Sequence, residues 1–264
     1  VKSASSIGFV PTMGALHKAH ISLISISKAE NELTICSIFV NPKQFNKKQD
    51  LEMYPRNTAS DLRQLEEANC DVVFIPSVEE MYPFTVVKEY NFGVLSEVME
   101  AAHRPGHFNG VALVIERFFE ILSPTNAYFG EKDFQQLAVI RALAVQINST
   151  VNIVGCPIYR EASGLAMSSR NERLTENEKV VASEISKALT FVCSHKNTHT
   201  IAELKDYFSK EIKKYPLLKL EYFEIADQAT LTPSTEWNKS GGQIAFTAVN
   251  LNGVRLIDNM TIIS

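Results

Sequence analysis

Short apolar runs alternate, through the first part of the chain, with longer segments whose apolar positions recur every three or four residues. The runs SIGFV (6–10), LTICSIFV (33–40), DVVFIP (71–76), NAYFG (126–130) and VNIVG (151–155) read as strands. Continuous apolar runs suit strands covered on both faces, as in a parallel sheet. Between them, HKAHISLISISKAEN (17–31), NTASDLRQLEEAN (57–69), NGVALVIERFFEIL (109–122) and DFQQLAVIRALAVQIN (133–148) read as helices. The third carries Val111, Val114, Ile115, Phe118 and Leu122 on one stripe, with Glu116 and Arg117 off it. That wide apolar face is either core or interface. The alternation predicts an open α/β domain with a Rossmann-like, doubly wound parallel sheet over residues 1–158.

Beyond Pro157–Tyr159 the rhythm changes. TENEKVVASEISKALTFV (175–192) and TIAELKDYFSKEIKKY (200–215) read as helices, then LEYFEIAD (220–227), QIAFTAVNL (243–251) and VRLIDNM (254–260) as strands. Helices followed by strands predict a second, smaller α+β domain over residues 159–264. Internal repeats and low-complexity tracts are absent.

The chain has 264 residues, 45% of them hydrophobic. That supports one large domain or two unequal ones, with ample material for a core. A formal charge of −4 argues against a nucleic-acid partner, which needs a basic face. No run approaches ~18 apolar residues, so no membrane span is expected. The opening VKSASSIGFV lacks the apolar core and cleavage pattern of a signal peptide. Cys36, Cys70, Cys156 and Cys193 lie far apart without C-x-x-C spacing. Three fall in or beside apolar runs, as reduced thiols of a cytoplasmic protein would.

The candidate chemistry begins in FVPTMGALHKAHISLI (9–24). In an open α/β sheet, ligands bind beyond the carboxyl ends of strands, where a loop turns into a helix. Pro11–Leu16 is such a loop, and the helix starts near His17. Its unpaired N–H groups and positive dipole end favour an anion such as phosphate. Gly14 allows the loop to turn closely. His17 and His20 share one face of the first turn, where they can donate to phosphate oxygens and stabilise developing charge. The pair could also ligate zinc, with His103 and His107 as further candidates. Pro105 and Gly106 break any helix there, and no cysteine or carboxylate cluster completes the set. Ordinary surface histidines are the third reading. The fingerprints G-x-G-x-x-G and G-x-x-x-x-G-K-[ST] are absent, which removes the main support for a dinucleotide or P-loop site.

A strand leading to H-x-x-H at a helix start resembles the nucleotidyl-transfer superfamily that includes class I aminoacyl-tRNA synthetases. That superfamily adds a mobile phosphate-binding motif of the K-M-S-K-S type, and AMSSRN (166–171) stands in its place. Five stretches narrow the likeness: PTMGALHKAH, FVNPKQF (39–45), RPGHFNGV (104–111), FGEKDFQQL (129–137) and GLAMSSRN (164–171). In order and interval they resemble the pantothenate synthetase (pantoate–β-alanine ligase) family, from Ile7 to about Leu174.

The resemblance implies an enzyme that uses ATP and Mg²⁺ to convert pantoate to pantoyl adenylate with release of pyrophosphate. The amine of β-alanine then displaces AMP and gives pantothenate. It implies that Pro11, Thr12, Met13, Gly14, Ala15, Leu16, His17 and His20 cradle ATP, with His20 the key donor to charge building on the α-phosphate. Gln44 and Gln136 hold pantoate, aided by Met13, Asn41, Tyr54 and Arg104. Gly130, Glu131, Lys132 and Asp133 complete the nucleotide site, Lys132 at phosphate and Asp133 at ribose. Tyr159 meets adenine through its backbone, and Met167, Ser168, Ser169 and Arg170 close over the phosphates from a C-terminal lid. His17, His20, Lys132 and Arg170 form the catalytic set. Mg²⁺ is held by ATP oxygens and water, with Asp61 and Gln64 at the family position for protein help; a solvated helix face explains those two equally well. A homodimer is also implied. Where the family usually has Gly before the second histidine, this chain has Ala19, whose methyl group could crowd the phosphate.

Two other functions fit parts of the pattern. An adenylyltransferase of the coenzyme A or NAD pathways needs only H-x-x-H and the serine–arginine loop, and would leave Gln44, Gln136 and the second domain unexplained. A non-catalytic binding module should have lost His20, Lys132 or Arg170, and all three are present.

Overall fold

The computed structural model describes residues 5–46, 48–84, 87–238 and 241–262. The first four residues of the opening stretch lie outside these. The chain divides into two compact units. One runs through Ser96 and resumes from Ala101 to Ile158; the other comprises Glu97–Glu100 and Tyr159 onward.

In the first unit, β1 (Ile7–Thr12), β2 (Leu33–Ile38), β3 (Val72–Phe74), β4 (Asn126–Gly130) and β5 (Asn152–Cys156) form a parallel sheet in the order β3-β2-β1-β4-β5. Strand order therefore reverses between β1 and β4. That is the switch point at which crossover helices diverge to opposite faces and open a crevice beyond the strand ends. The helices are α1 (Lys18–Glu30), α2 (Lys48–Glu52), α3 (Thr58–Glu67), α4 (Val78–Met81), α5 (Met99–His103, whose first two residues belong to the other unit), α6 (His107–Leu122) and α7 (Phe134–Gln146). The sequence pattern does not announce α2, α4 and α5, which are too short to show a helical period.

The face of α6 that sequence left open between core and interface is core. Val111, Ala112, Leu113, Val114, Ile115, Phe118 and Phe119 are all buried. Phe118 meets Phe9 at 5.1 Å between ring centroids, and Phe39 and Phe74 at 6.2 Å. The helix starts two residues earlier than the pattern suggests, because Gly106, at φ 79, caps it.

The second unit contains α8 (Glu176–Ser194), α9 (Ile201–Lys213) and an antiparallel sheet of β6 (Leu218–Asp227), β7 (Gln243–Leu251) and β8 (Val254–Ile262) in that order. Thr175 with Glu178 and Thr200 with Glu203 close capping boxes that fix where the two helices begin. Leu189, Leu204, Phe208, Ile225 and Val249 lie in its core. Glu97–Glu100 joins this unit from outside the span that begins at Tyr159. The Glu100 carboxylate accepts from both terminal nitrogens of Arg255, at 2.7 and 2.8 Å, and from the Tyr222 hydroxyl at 2.9 Å.

All four cysteines are unpaired. Burial pushes the Cys156 and Cys193 thiols up to about 11 and raises Cys36 and Cys70 as well. Among the described residues, no helix is long and apolar enough to cross a membrane.

Candidate active site

The crevice beyond β1 and β4 is built first from the turn that follows β1. Thr12 donates its hydroxyl to the Ser37 carbonyl at 2.6 Å and accepts from the Gly14 amide at 3.3 Å. Gly14 (φ 79) and Ala15 (φ 49) then take left-handed conformations in succession. For Ala15 this costs about 1–2 kcal/mol, so something must hold it. Asp61 on α3 does: its two carboxylate oxygens accept from the Ala15 amide at 3.0 Å and the Leu16 amide at 2.8 Å. Gln64, one turn on, donates to the Leu16 carbonyl at 3.1 Å. Asn57 fixes the start of α3 by accepting from the Ser60 amide.

His17 caps α1 in extended conformation, and its amide donates to His20 Nδ1 at 3.3 Å. The two imidazoles stack, their centroids 4.0 Å apart. Burial, helped by the nearby Lys132 charge, lowers His17 to about 4. Burial, then the His17 and Lys132 charges, lowers His20 to about 3. Both rings are therefore neutral at neutral pH. Because His20 Nδ1 accepts, its proton sits on Nε2, an assignment that follows from the hydrogen bond. His17 Nδ1 is buried without a partner. The amides of Lys18 and Ala19, first and second in α1, have no carbonyl one turn earlier. They are the helix-start donors left for an anion.

Lys132 enters from the short turn Glu131–Asp133 that follows β4. Glu131 leans back over Gly155, where an added Cβ would meet its Oε1 at 3.1 Å, and is thus a wall of the unit. Asp133 is exposed, its Oδ2 3.9 Å from Lys132 Nζ. Gln136 is half-buried on the first turn of α7, while its neighbour Gln135 is buried and donates to the Leu95 carbonyl.

Gln44 lies in the turn Pro42–Gln44, with its Nε2 3.0 Å from Met13 Sδ. Asn41, expected to line the pocket, is 1% exposed. It donates to Gln44 Oε1 at 3.1 Å and the Gly110 carbonyl at 3.0 Å, and accepts from the Tyr82 hydroxyl at 2.9 Å. Through the first of these bonds it holds the Gln44 amide. His107 bonds the Gln44 carbonyl through Nδ1 at 2.8 Å and Arg104 through Nε2 at 2.9 Å. Arg104 borders a cavity of about 540 Å³ with Lys43, Lys88 and Asn109. Tyr54 is buried edge-on against Phe45. Tyr82 and Gly110 escaped the sequence reading. The available signal was a glycine inside a helix, a costly choice that marks close approach.

Comparison with known proteins settles what carries this arrangement. The model of the family described as pantoate-beta-alanine ligase matches residues 1–261. The chain belongs to the pantoate–β-alanine ligase family. It is 48% identical to the pantothenate synthetase of Bacteroides fragilis, over 96% of this chain and 90% of that one. Identity to the pantothenate synthetase of Cytophaga hutchinsonii is 45%, over 98% and 92%. Among solved structures, the pantothenate synthetase of Thermus thermophilus superposes with a TM-score of 0.93 at 38% identity, covering 98% of this chain and 94% of that one. The Francisella tularensis ligase, described as complexed with beta-gamma ATP and beta-alanine, gives a TM-score of 0.82 at 35% identity, covering 98% and 90%.

The remaining residues that the ligase family points to lie in the second unit. Tyr159 is exposed, and its carbonyl accepts from the Met167 amide at 3.0 Å. Ser168 accepts from the Arg170 amide at 3.3 Å and opens the turn Ser169–Arg173. Arg160 anchors this loop. Its guanidinium pairs with both Asp258 oxygens at 2.8 and 2.9 Å and donates to the Gly164 carbonyl at 3.0 Å.

The metal expectation fares differently. Asp61 is 2% exposed with each oxygen already accepting an amide. Among the described residues no three His, Cys, Asp or Glu side chains gather as a metal set. Asp61 and Gln64 are thus engaged by the turn between β1 and α1 rather than presented as free metal ligands.

Proposed function

We propose that His17, His20 and Lys132 act on ATP and Gln44 and Gln136 on pantoate, in an enzyme that condenses pantoate with β-alanine to pantothenate. A pantoate carboxylate oxygen attacks the α-phosphorus, and the bond to the β-phosphate oxygen breaks to release pyrophosphate. The neutral β-alanine amine then attacks the acyl carbon, and AMP leaves. The observation that carries this reading is a pair of neutral imidazoles beside a lysine at the sheet's switch point. Neutral N–H donors stabilise charge that develops on phosphoryl oxygens without losing a proton to it, and preorganised donors of this kind dominate such catalysis. The amide of Gln44, oriented by Asn41, can hold the pantoate carboxylate without a full positive charge that would blunt its nucleophilicity.

Ser168, Ser169 and Arg170 supply further phosphate donors in this proposal, and the Tyr159 backbone meets adenine. Magnesium enters as part of the substrate, MgATP, since this ion keeps its phosphate and water ligands. The enzyme works in the cytoplasm, where its four unpaired cysteines stay reduced. It forms a homodimer; Phe84 and Val87, 82% and 85% exposed, are apolar groups that association would cover, and light scattering at twice the chain mass tests this. The adenylate itself is tested with pantoate labelled by ¹⁸O in its carboxylate. One label should appear in AMP; AMP without label refutes the acyl-adenylate route.

A further inference from the structure

The turn between β1 and α1 is an anion-binding shape that is already filled. Successive left-handed residues, Gly14 and Ala15, point neighbouring amides into one concavity, the geometry that elsewhere receives phosphate. Here the anion is the protein's own. Asp61 takes the Ala15 and Leu16 amides, one on each oxygen, and Gln64 takes the Leu16 carbonyl. With Thr12 accepting from Gly14 and His20 from His17, each amide from Gly14 to His17 has an intramolecular acceptor. A side chain at position 14 could not coexist with this grip, because a Cβ there would sit 2.9 Å from Asp61 Oδ2.

We propose that Asp61 and Gln64 are positioning residues of the nucleotide step: through the Gly14–Leu16 turn they set His17 and His20, and neither ligates Mg²⁺. The turn leads directly into His17, whose extended backbone places its amide on His20 Nδ1. If α3 releases the turn, Ala15 relaxes from its left-handed conformation, His17 rotates, and the orientation of His20 is lost. This inference rests on the assignment of the histidines to ATP.

The test is calorimetric titration of the full chain with MgATP, without pantoate, repeated over a roughly hundredfold range of free Mg²⁺. Asp61→Asn must turn an amide hydrogen donor toward a backbone donor, and should weaken MgATP about tenfold or more. Gln64→Met, which loses one donor at a half-buried place, should weaken it about threefold. The Mg²⁺ dependence of binding should match wild type in both. Loss of a ligand would instead raise the Mg²⁺ requirement by about tenfold, and that result overturns the proposal. So does wild-type affinity in a folded Asp61→Asn protein, with Gln64→Met deciding alone if the first variant does not fold. Pantoate is absent from the titration, so a chain that ignores pantoate yet loses MgATP on Asp61→Asn refutes only the ligase reading.

Discussion

The backbone amide of His17 donates to His20 Nδ1 across 3.3 Å, and this bond decides which nitrogen of His20 faces the crevice as a donor. His20→Ala removes that donor and should lower turnover by about two to three orders of magnitude. His20→Gln, which restores a donor at nearly the same reach, should recover part of the loss. Steady-state assay of pyrophosphate release checks both, and wild-type turnover by His20→Ala would contradict the role.

The lowered histidines give a prediction for pH. With His17 near 4 and His20 near 3, kcat/KM for ATP, which reports the free enzyme, should show no histidine break between about pH 5 and 8. A break near pH 6.5 that disappears in His20→Gln would mean that an imidazolium is used.

Stability follows the same groups with a definite sign. An unfolded histidine takes up its proton below about pH 6.5, while the native pair stays neutral down to 3–4. The unfolded state then binds more protons, so their contribution is whole above pH 6.5 and falls as pH drops. The limiting slope is about 1.4 kcal/mol per pH unit for each histidine. Urea midpoints of wild type and His20→Gln should therefore converge or cross between pH 7 and 4. A constant difference would contradict a half-buried pair held neutral.

Gly110 is the place where α6 comes closest to the Gln44 turn. A Cβ there would meet the Lys43 carbonyl oxygen at 2.1 Å and Gln44 Cα at 2.7 Å, both backbone. Gly110→Ala must push the turn aside, costing about 1–3 kcal/mol. KM for pantoate should rise about tenfold, with KM for ATP nearly unchanged. Equal changes in both constants would show that Gln44 is not specific to pantoate.

In the second unit, Asp258 and Arg160 anchor the serine–arginine loop, with Asp258 5% and Arg160 24% exposed in their side chains. Asp258→Ala leaves the guanidinium half-buried without its carboxylate and should destabilise this unit by about 3 kcal/mol. Trp237, the sole tryptophan, lies in the same unit, so its fluorescence during urea unfolding measures the loss. A shift below about 1 kcal/mol, the worth of an exposed pair, would contradict the anchoring.

Much of this fold was legible in the chain because its elements are long and regular in period. The runs at 126–130 and 243–251 coincide with β4 and β7 as observed, since apolar continuity and alternation act locally. Of the candidate site, a motif marks only some residues, as with His17, His20 and Lys132. The amide contacts of Asp61 were not legible because a carboxylate on an amphipathic helix looks the same whether it faces water, metal or a distant amide. Its partners, Ala15 and Leu16, lie 46 and 45 residues away, and only folding brings them together. The partners of Asn41 were illegible for a similar reason: Gly110, which takes one of its donors, lies 69 residues on. Glu97–Glu100 escaped because nothing local marks Arg255, 155 residues beyond Glu100, as its partner.

The most direct measurement is pyrophosphate release from ATP and Mg²⁺, with pantoate and β-alanine added in turn. The account predicts pyrophosphate that depends on pantoate, with AMP and pantothenate appearing only after β-alanine is added. Pyrophosphate formed without pantoate, or pantoate that changes nothing, would contradict it.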